Sequence, residues 1–147
     1  MNFYTTSSFR TSIQLLIRKP KNGYMSVVSD ICETLKSMPD NILRDNNDRI
    51  RQEQNFRIVK LRIGNSNQRL PKNDGFRLIY WVSLRKENLV LLKIYPKRGS
   101  LAVGNLTGGE FVRLLEEMVD ENKQQVLQQV DILSSSLNII KDQCGLL

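Results

Sequence analysis

Lysine and arginine side chains alternate with apolar residues in three short runs, and they are the groups in this chain best able to do chemistry. The runs cover residues 56–63, 75–82 and 89–98 and are rich in Ile, Val, Leu and aromatic residues. That composition is typical of β-strands. Because side chains alternate between the two faces of a strand, cations from all three runs can share one face. The residues expected on that face are Lys60, Arg62, Arg77, Lys93, Tyr95 and Lys97.

The connections between these runs are short, which favours antiparallel hairpins. In the third run Val90, Leu92 and Ile94 are expected to pack on the face opposite the cations. The loop of residues 64–74 carries Arg69 and Lys72, which are available to contact the backbone of a ligand.

Positive charge is concentrated in the middle of the chain. Residues 40–100 contain 14 Lys or Arg and 6 Asp or Glu, whereas residues 101–147 contain 3 and 7, and the whole chain has a net charge of +7. A basic middle followed by an acidic end predicts a sheet that meets phosphate groups and a helix that does not. The alternative is an ordinary solvated sheet face, although such faces usually mix charges of both signs.

Several chemistries are excluded by what the chain lacks. It has no histidine, which removes histidine bases and histidine metal ligands. Cys32 and Cys144 lie far apart and are expected to be reduced. No nucleotide-binding motif or metal-ligand cluster is visible, so neither a cofactor nor a metal is expected. No apolar run is long enough for a signal peptide or a membrane span, which predicts a cytoplasmic protein.

The elements expected to position the cations are a short first strand in residues 1–5 and two helices. The first helix follows Thr6 and ends at Pro20, and the second follows Gly23 and ends at Pro39. Their apolar residues recur at helical spacing, so the two helices are expected to form a hairpin on the apolar face of the sheet. Residues 40–55 are strongly polar and are expected to form a surface loop with a helical turn.

The C-terminal part is expected to be helical. Thr107 and Glu110 fit a capping box at the start of a helix. A later apolar stripe has the spacing of a heptad repeat: Val126, Val130, Leu133, Leu137 and Ile140. Such a stripe packs on the body of the protein, on a second copy or on another chain. The predicted organisation is therefore a domain of residues 1–119 and a C-terminal helical extension of residues 120–147.

Four segments together resemble the RelE/ParE superfamily of type II toxins, nearest to its RelE and HigB-like branch. They are residues 60–62, 75–80, 91–98 and 105–110. The resemblance implies an α+β fold in which an N-terminal helical hairpin packs on a small antiparallel-dominated sheet. It also implies ribosome-dependent, metal-independent cleavage of mRNA and neutralisation by a cognate antitoxin protein. By position, Lys60, Arg77 and Arg98 would be catalytic, and Lys97 would lie beside Arg98.

The sequence departs from the family pattern at two positions. Ile58 stands where the family has a second lysine, and Gly104 stands near the position of its catalytic tyrosine. Two alternatives to a ribonuclease therefore stay open. One is a ParE-like gyrase inhibitor, and the other is a basic RNA-binding module without catalysis. A homodimer through the C-terminal helix would be compatible with each.

Overall fold

The computed structural model describes residues 1–45 and 49–147. Within these residues the chain forms a seven-stranded sheet and four α-helices. The strands are β1 (Asn2–Thr5), β2 (Arg49–Gln52), β3 (Phe56–Ile63), β4 (Phe76–Ser83), β5 (Asn88–Pro96), β6 (Leu127–Asp131) and β7 (Asn138–Cys144). The helices are α1 (Ser7–Ile17), α2 (Val27–Lys36), α3 (Asp40–Arg44) and α4 (Gly108–Gln124), with short 3-10 turns at Pro20–Asn22 and Ser66–Gln68. In this described part, no helix is long and apolar enough to cross a membrane.

The sheet is mixed, with the strand order β2-β3-β4-β5-β1-β6-β7. Strand β1 is an interior strand, parallel to β5 and antiparallel to β6, and the other neighbours are antiparallel. The interior position of β1 buries Phe3, Tyr4 and Thr5. The chain then passes directly into α1, because the Thr6 hydroxyl accepts a hydrogen bond from the Phe9 backbone N–H and caps the helix.

Two apolar layers cover the two faces of the sheet. Helices α1 and α2 pack on one face around Phe9, Ile31 and Leu78. Helix α4 packs on the other face, where Leu114 and Met118 belong to its apolar cluster. The capping box predicted for α4 is present: the Thr107 side chain accepts from Glu110 N, and the Glu110 side chain accepts from Thr107 N.

The predicted fold, a helical hairpin on a small antiparallel-dominated sheet with a C-terminal helical extension, was wrong. The sheet has seven strands and includes a parallel pair, and the chain ends in a β-hairpin after α4. The region expected to be a surface loop contains α3 and strand β2, while residues 46–48 of that prediction lie outside the described residues. The predicted boundary after residue 119 stays a prediction, and it falls inside α4.

The heptad interpretation failed because α4 ends at Gln124. Gln125 has a φ of 57° and the left-handed conformation of a helix terminus, and its N–H donates to the Asn122 carbonyl. The following residues pair with β1 instead of continuing the helix. Leu133 and Ile140, two members of the expected stripe, are 78% and 61% exposed. A β-hairpin therefore replaces the helical surface through which a homodimer was expected, and the homodimer itself stays a prediction.

Candidate nucleic-acid interface

Strand pairing places two rows of polar side chains on the α4 side of the sheet. Lys60 lies opposite Ile79, and Ile79 lies opposite Lys93. In the neighbouring row Arg62 lies opposite Arg77, which lies opposite Tyr95. Directly paired residues of antiparallel strands point to the same face. We call this group the cationic face: Lys60, Arg62, Arg77, Lys93 and Tyr95.

A bulge in β5 changes the predicted face of two apolar residues. The register shifts between Ile79 and Tyr80, so Tyr80 lies opposite Leu91 and Leu92 is the extra residue. Val90 and Leu92 consequently pack in the α4 layer, on the same side as Lys93. Only Ile94 lies in the α1 and α2 layer as expected. Apolar side chains therefore border Lys93 on its own face of the sheet.

Arg77 is the most deeply buried cation of the face, with 8% of its surface exposed. Its Nη1 donates to the carbonyls of Lys72 at 3.0 Å and Phe76 at 3.1 Å, and its Nη2 donates to the carbonyl of Asn73 at 2.9 Å. The guanidinium group thus holds the end of the 64–74 loop against the sheet. These bonds give Arg77 a structural task beside any role in binding.

The segment of residues 72–74 also binds two further arginines. Arg62 Nη1 donates to Asn73 Oδ1 at 3.1 Å, and Arg98 donates to Asp74 Oδ1 from Nε at 3.1 Å and Nη2 at 2.8 Å. This loop end therefore positions Arg62, Arg77 and Arg98. Sequence reasoning missed Asn73 and Asp74. The pattern that could have indicated them is a pair of polar residues directly before Gly75, which leads into β4.

Tyr95 lies beside Arg77 and is 3% exposed. Within the described part of the chain, its hydroxyl has no hydrogen-bond partner. Burial raises the pKa of Tyr95, the charge of Arg77 opposes that shift, and Glu110 adds to it. The phenol is therefore neutral at physiological pH.

Arg62 is the exposed cation of the face, and Lys60 and Lys93 are less accessible to solvent. Both side chains are half-buried, and neither forms an ion pair or a hydrogen bond with any residue in 1–45 or 49–147. Lys60 is a diagonal neighbour of Arg77 across the strand pair, and such neighbours lie about 7–8 Å apart. A phosphate group bound by Lys60 can therefore also lie close to the charge of Arg77.

Helix α4 covers the part of the face that lies nearest to β1. A cavity of about 260 Å³ separates its first turns from Lys93 and the start of α1. Its lining mixes both charge signs and consists of Ser8, Lys93, Leu106, Glu110, Arg113, Leu114 and Glu117. The mixed charge makes this cavity a weaker phosphate site than the open rows of β3 and β4.

Two carboxylates attach α4 to the first turn of α1. The Ser8 backbone N–H and hydroxyl donate to Glu117, and the Ser7 N–H donates to Glu121 at 3.1 and 3.3 Å. Burial alone would raise the pKa of Glu117, but its hydrogen bonds from Ser8 hold it below the usual value. Burial and the neighbouring Glu117 raise the pKa of Glu121. The pair satisfies N–H groups that a helix leaves unbonded at its start.

The other predicted contact residues lie at the loop end of the sheet. Arg69, Lys72 and Lys97 are exposed, and Lys97 follows the last residue of β5. The Arg98 side chain is 63% exposed while it is paired with Asp74. The structure therefore groups the predicted residues in two places, the cationic face and this loop end.

The arrangement can bind phosphate groups and can hold extra negative charge on a phosphate. Among the described residues, no group of three or more Cys, Asp or Glu side chains is placed to hold a metal ion. Comparison with known proteins finds no matching family model, no matching curated protein and no matching solved structure.

Proposed function

We propose that this protein is a toxin of a type II toxin–antitoxin system that binds mRNA on the cationic face and cleaves it on the ribosome without a metal ion. The observation that carries the proposal is the register that sets Lys60 and Lys93 in one row and Arg77 in the next. The resemblance of residues 75–80 and 91–98 to RelE and HigB-like toxins supports the toxin part. The proposed partners are a cognate antitoxin, the ribosome and mRNA, and the proposed site of action is the cytoplasm.

The proposed reaction uses the ribose of the RNA itself as the nucleophile. The 2′ oxygen forms a bond to the neighbouring phosphorus, and the bond from phosphorus to the 5′ oxygen breaks. Lys60 is assigned as the base that accepts the proton of the 2′ hydroxyl, and Lys93 as the acid that gives a proton to the departing 5′ oxygen. The products are a 2′,3′-cyclic phosphate and a 5′ hydroxyl.

The neighbouring row stabilises the charge that develops during this attack. The phosphorane carries more negative charge than the starting phosphate, and guanidinium groups stay charged and bind phosphate oxygens well. Arg62 is exposed and can contact the phosphate directly, whereas Arg77 is buried and contributes its positive charge from below the surface of the face. Arg98 can also bind the phosphate if its hydrogen bonds to Asp74 are replaced by hydrogen bonds to a phosphate oxygen.

One observation favours a second candidate, an RNA-binding module without cleavage. Three donor bonds of Arg77 end on carbonyls of the chain, and the Tyr95 hydroxyl is buried. Side chains that are bonded or buried in this way are not available to RNA, so RNA binding would depend on Lys60, Arg62 and Lys93. The third alternative, gyrase inhibition, is distinguished by the first test, which also measures thymidine incorporation.

The first test is made in bacterial cells. The wild type, Lys60→Ala and Lys86→Ala are induced and pulse-labelled over minutes with methionine and thymidine in parallel. Lys86 is a matched control because it is an exposed lysine on the β4–β5 hairpin, away from the cationic face. We expect methionine incorporation to stop for the wild type and Lys86→Ala but not for Lys60→Ala. An earlier loss of thymidine incorporation would instead indicate gyrase inhibition.

The second test separates binding from cleavage. Purified ribosomes carrying mRNA are incubated with the same three proteins at the magnesium concentration that keeps the ribosome intact, with and without a chelator selective for transition metals, and the new RNA ends are analysed. Cyclic phosphate ends that depend on Lys60 would support the proposed reaction. Binding of mRNA without new ends would favour the module without catalysis.

A further inference from the structure

A second group of cations lies at the loop end of the sheet, and part of it comes from a segment that the proposed function does not use. Its six members are all exposed: Arg18, Lys19, Lys21, Arg69, Lys72 and Lys97. We call this group the cationic end. None of these side chains forms an ion pair or a hydrogen bond with another residue in 1–45 or 49–147.

Two buried polar side chains bring the three loops of the cationic end together. Tyr24, which follows the 18–23 turn, donates from its hydroxyl to the Arg98 carbonyl at 2.9 Å and accepts from the Leu101 N–H at 3.2 Å. Asn65 is 2% exposed and donates to the Gly23 carbonyl at 3.0 Å. The turn after α1 is therefore fastened both to the loop after β3 and to the loop after β5.

Two glycines permit this close approach. Gly23 has a φ of 83°, and a Cβ there would lie 2.1 Å from the Gln68 side chain. Gly99 has a φ of 95°, and a Cβ there would lie 2.3 Å from the Tyr24 hydroxyl. Both positions have a left-handed backbone that favours glycine, and at Gly99 the contact with the buried Tyr24 side chain leaves no room for a Cβ. The backbone of the loops that carry these cations is consequently held in place before any ligand binds, which lowers the entropy lost on binding.

The carboxylates at this end are already used within the protein. Asp30 accepts from the Ser26 hydroxyl at 2.7 Å and from the Ser66 N–H at 3.0 Å. Asp74 accepts from Arg98. The six cations therefore face solvent without an anionic partner among the described residues, and their field favours a polyanion.

The type of polyanion follows from the lack of stacking surfaces. Proteins that hold single-stranded RNA stack its bases on exposed aromatic side chains. At the described part of this end, the aromatic residues Tyr24 and Phe76 are 2% and 0% exposed. Base-paired RNA is recognised through its phosphates and shape and needs no such platform.

We propose that the cationic end, including Arg18, Lys19 and Lys21, binds the phosphate backbone of a base-paired RNA segment while the cationic face takes the single strand. This inference rests on the proposed function because it takes RNA as the partner. It adds a second, independent contact, made by the turn between α1 and α2.

The test measures binding of two fluorescent RNAs at several salt concentrations. One is a hairpin with a stem of about 16 base pairs, and the other is an unstructured strand of the same length. The proteins are the wild type, the double variant Lys19→Ala/Lys21→Ala, and a control double variant Lys86→Ala/Lys123→Ala. The control removes two exposed lysines elsewhere, so both variants have the same net charge.

We expect Lys19→Ala/Lys21→Ala to weaken hairpin binding about tenfold and to lower the slope of log affinity against log salt by about two. Binding of the unstructured strand and cleavage of mRNA should stay near the wild-type level, and the control should bind both RNAs nearly normally. Equal losses for both variants, equal losses for both RNAs, or an unchanged hairpin affinity would each overturn the inference. A wild type that binds neither RNA would overturn the proposed function as well.

Discussion

Arg98 donates two hydrogen bonds to a single carboxylate oxygen of Asp74, at 3.1 Å from Nε and 2.8 Å from Nη2. A cation predicted to act on RNA is thus paired with an anion of the chain. The pair lies at the surface, where such interactions contribute about 0–1 kcal/mol to stability. Asp74 is therefore better understood as a competitor of phosphate for Arg98 than as a major support of the fold.

The first prediction concerns this competition. Asp74→Asn should strengthen RNA binding several-fold at low salt, because it frees Arg98 and removes one negative charge from the loop end. Stability should change by less than about 1 kcal/mol. Fluorescence anisotropy with labelled RNA, repeated as salt is raised, measures the effect. Weaker binding of Asp74→Asn would show instead that the carboxylate positions Arg98 for RNA.

The second prediction separates fold from function within the cationic face. Arg77→Ala should lower the free energy of unfolding by about 3 kcal/mol, because bonds from a charged group to three carbonyls are lost in a buried place. Lys60→Ala should change it by less than about 0.5 kcal/mol, since Lys60 is half-buried and bonded to no described residue. Urea unfolding of both variants provides the measurement. Equal stabilities would remove the structural role assigned to Arg77.

This difference also decides which variant can diagnose activity. A loss of toxicity in Arg77→Ala would follow from a loosened 64–74 loop as readily as from lost chemistry. Lys60→Ala changes the site without that side effect, so the cell experiment depends on it.

Alternation along the strands predicted that Lys60, Arg62, Arg77, Lys93 and Tyr95 share a face, because the period of two follows directly from strand geometry. It also placed Lys97 there, although Lys97 lies beyond the end of β5. It could not predict the bulge at Leu92, which depends on pairing with β4 and moves Val90 to the cationic side. Nor could it show that Arg77 would bond to the Asn73 carbonyl. That contact requires the loop path, which no local pattern specifies.

The C-terminal prediction failed for a reason of the same kind. Apolar residues spaced by three and four fit a helix when only their own segment is considered. The pairing of Tyr4 with Gln129 joins the two ends of the chain, and this distant partner decides in favour of strands. Ser134 and Asn138 then hydrogen-bond to each other in the turn, where the helix was expected to continue. Tertiary pairing thus overrode a local helical pattern.

The third prediction is a pH dependence with opposite signs at two neighbouring carboxylates. The pKa of Glu121 is raised above its ordinary value of 4.5, so its ionised form is disfavoured in the fold. Its contribution to stability is therefore present below pH 4.5 and is lost as pH rises through the raised pKa. The pKa of Glu117 is lowered, so its contribution is present above pH 4.5 and is lost as pH falls through the lowered pKa.

The two glutamine variants should consequently behave in opposite ways. Relative to the wild type, Glu121→Gln should be more stable at pH 7 and should lose this advantage near pH 4. Glu117→Gln should be less stable at pH 7, and its deficit should shrink as the pH falls below 4.5. Urea unfolding at a series of pH values measures both curves. Parallel curves for the two variants would contradict the assignment.

The fourth prediction concerns the clamp at the cationic end. Tyr24→Phe removes a buried hydroxyl that bonds to Arg98 and Leu101, and it should cost about 1 kcal/mol of stability. Tyr80→Phe is the matched control, because the Tyr80 hydroxyl is also buried and donates to a backbone carbonyl, that of Leu43 at 2.9 Å, in α3. Only Tyr24→Phe should weaken binding of hairpin RNA, since it alone loosens the turn that carries Lys21. If both variants lost hairpin binding in proportion to stability, or if neither did, the clamp would have no part in RNA binding.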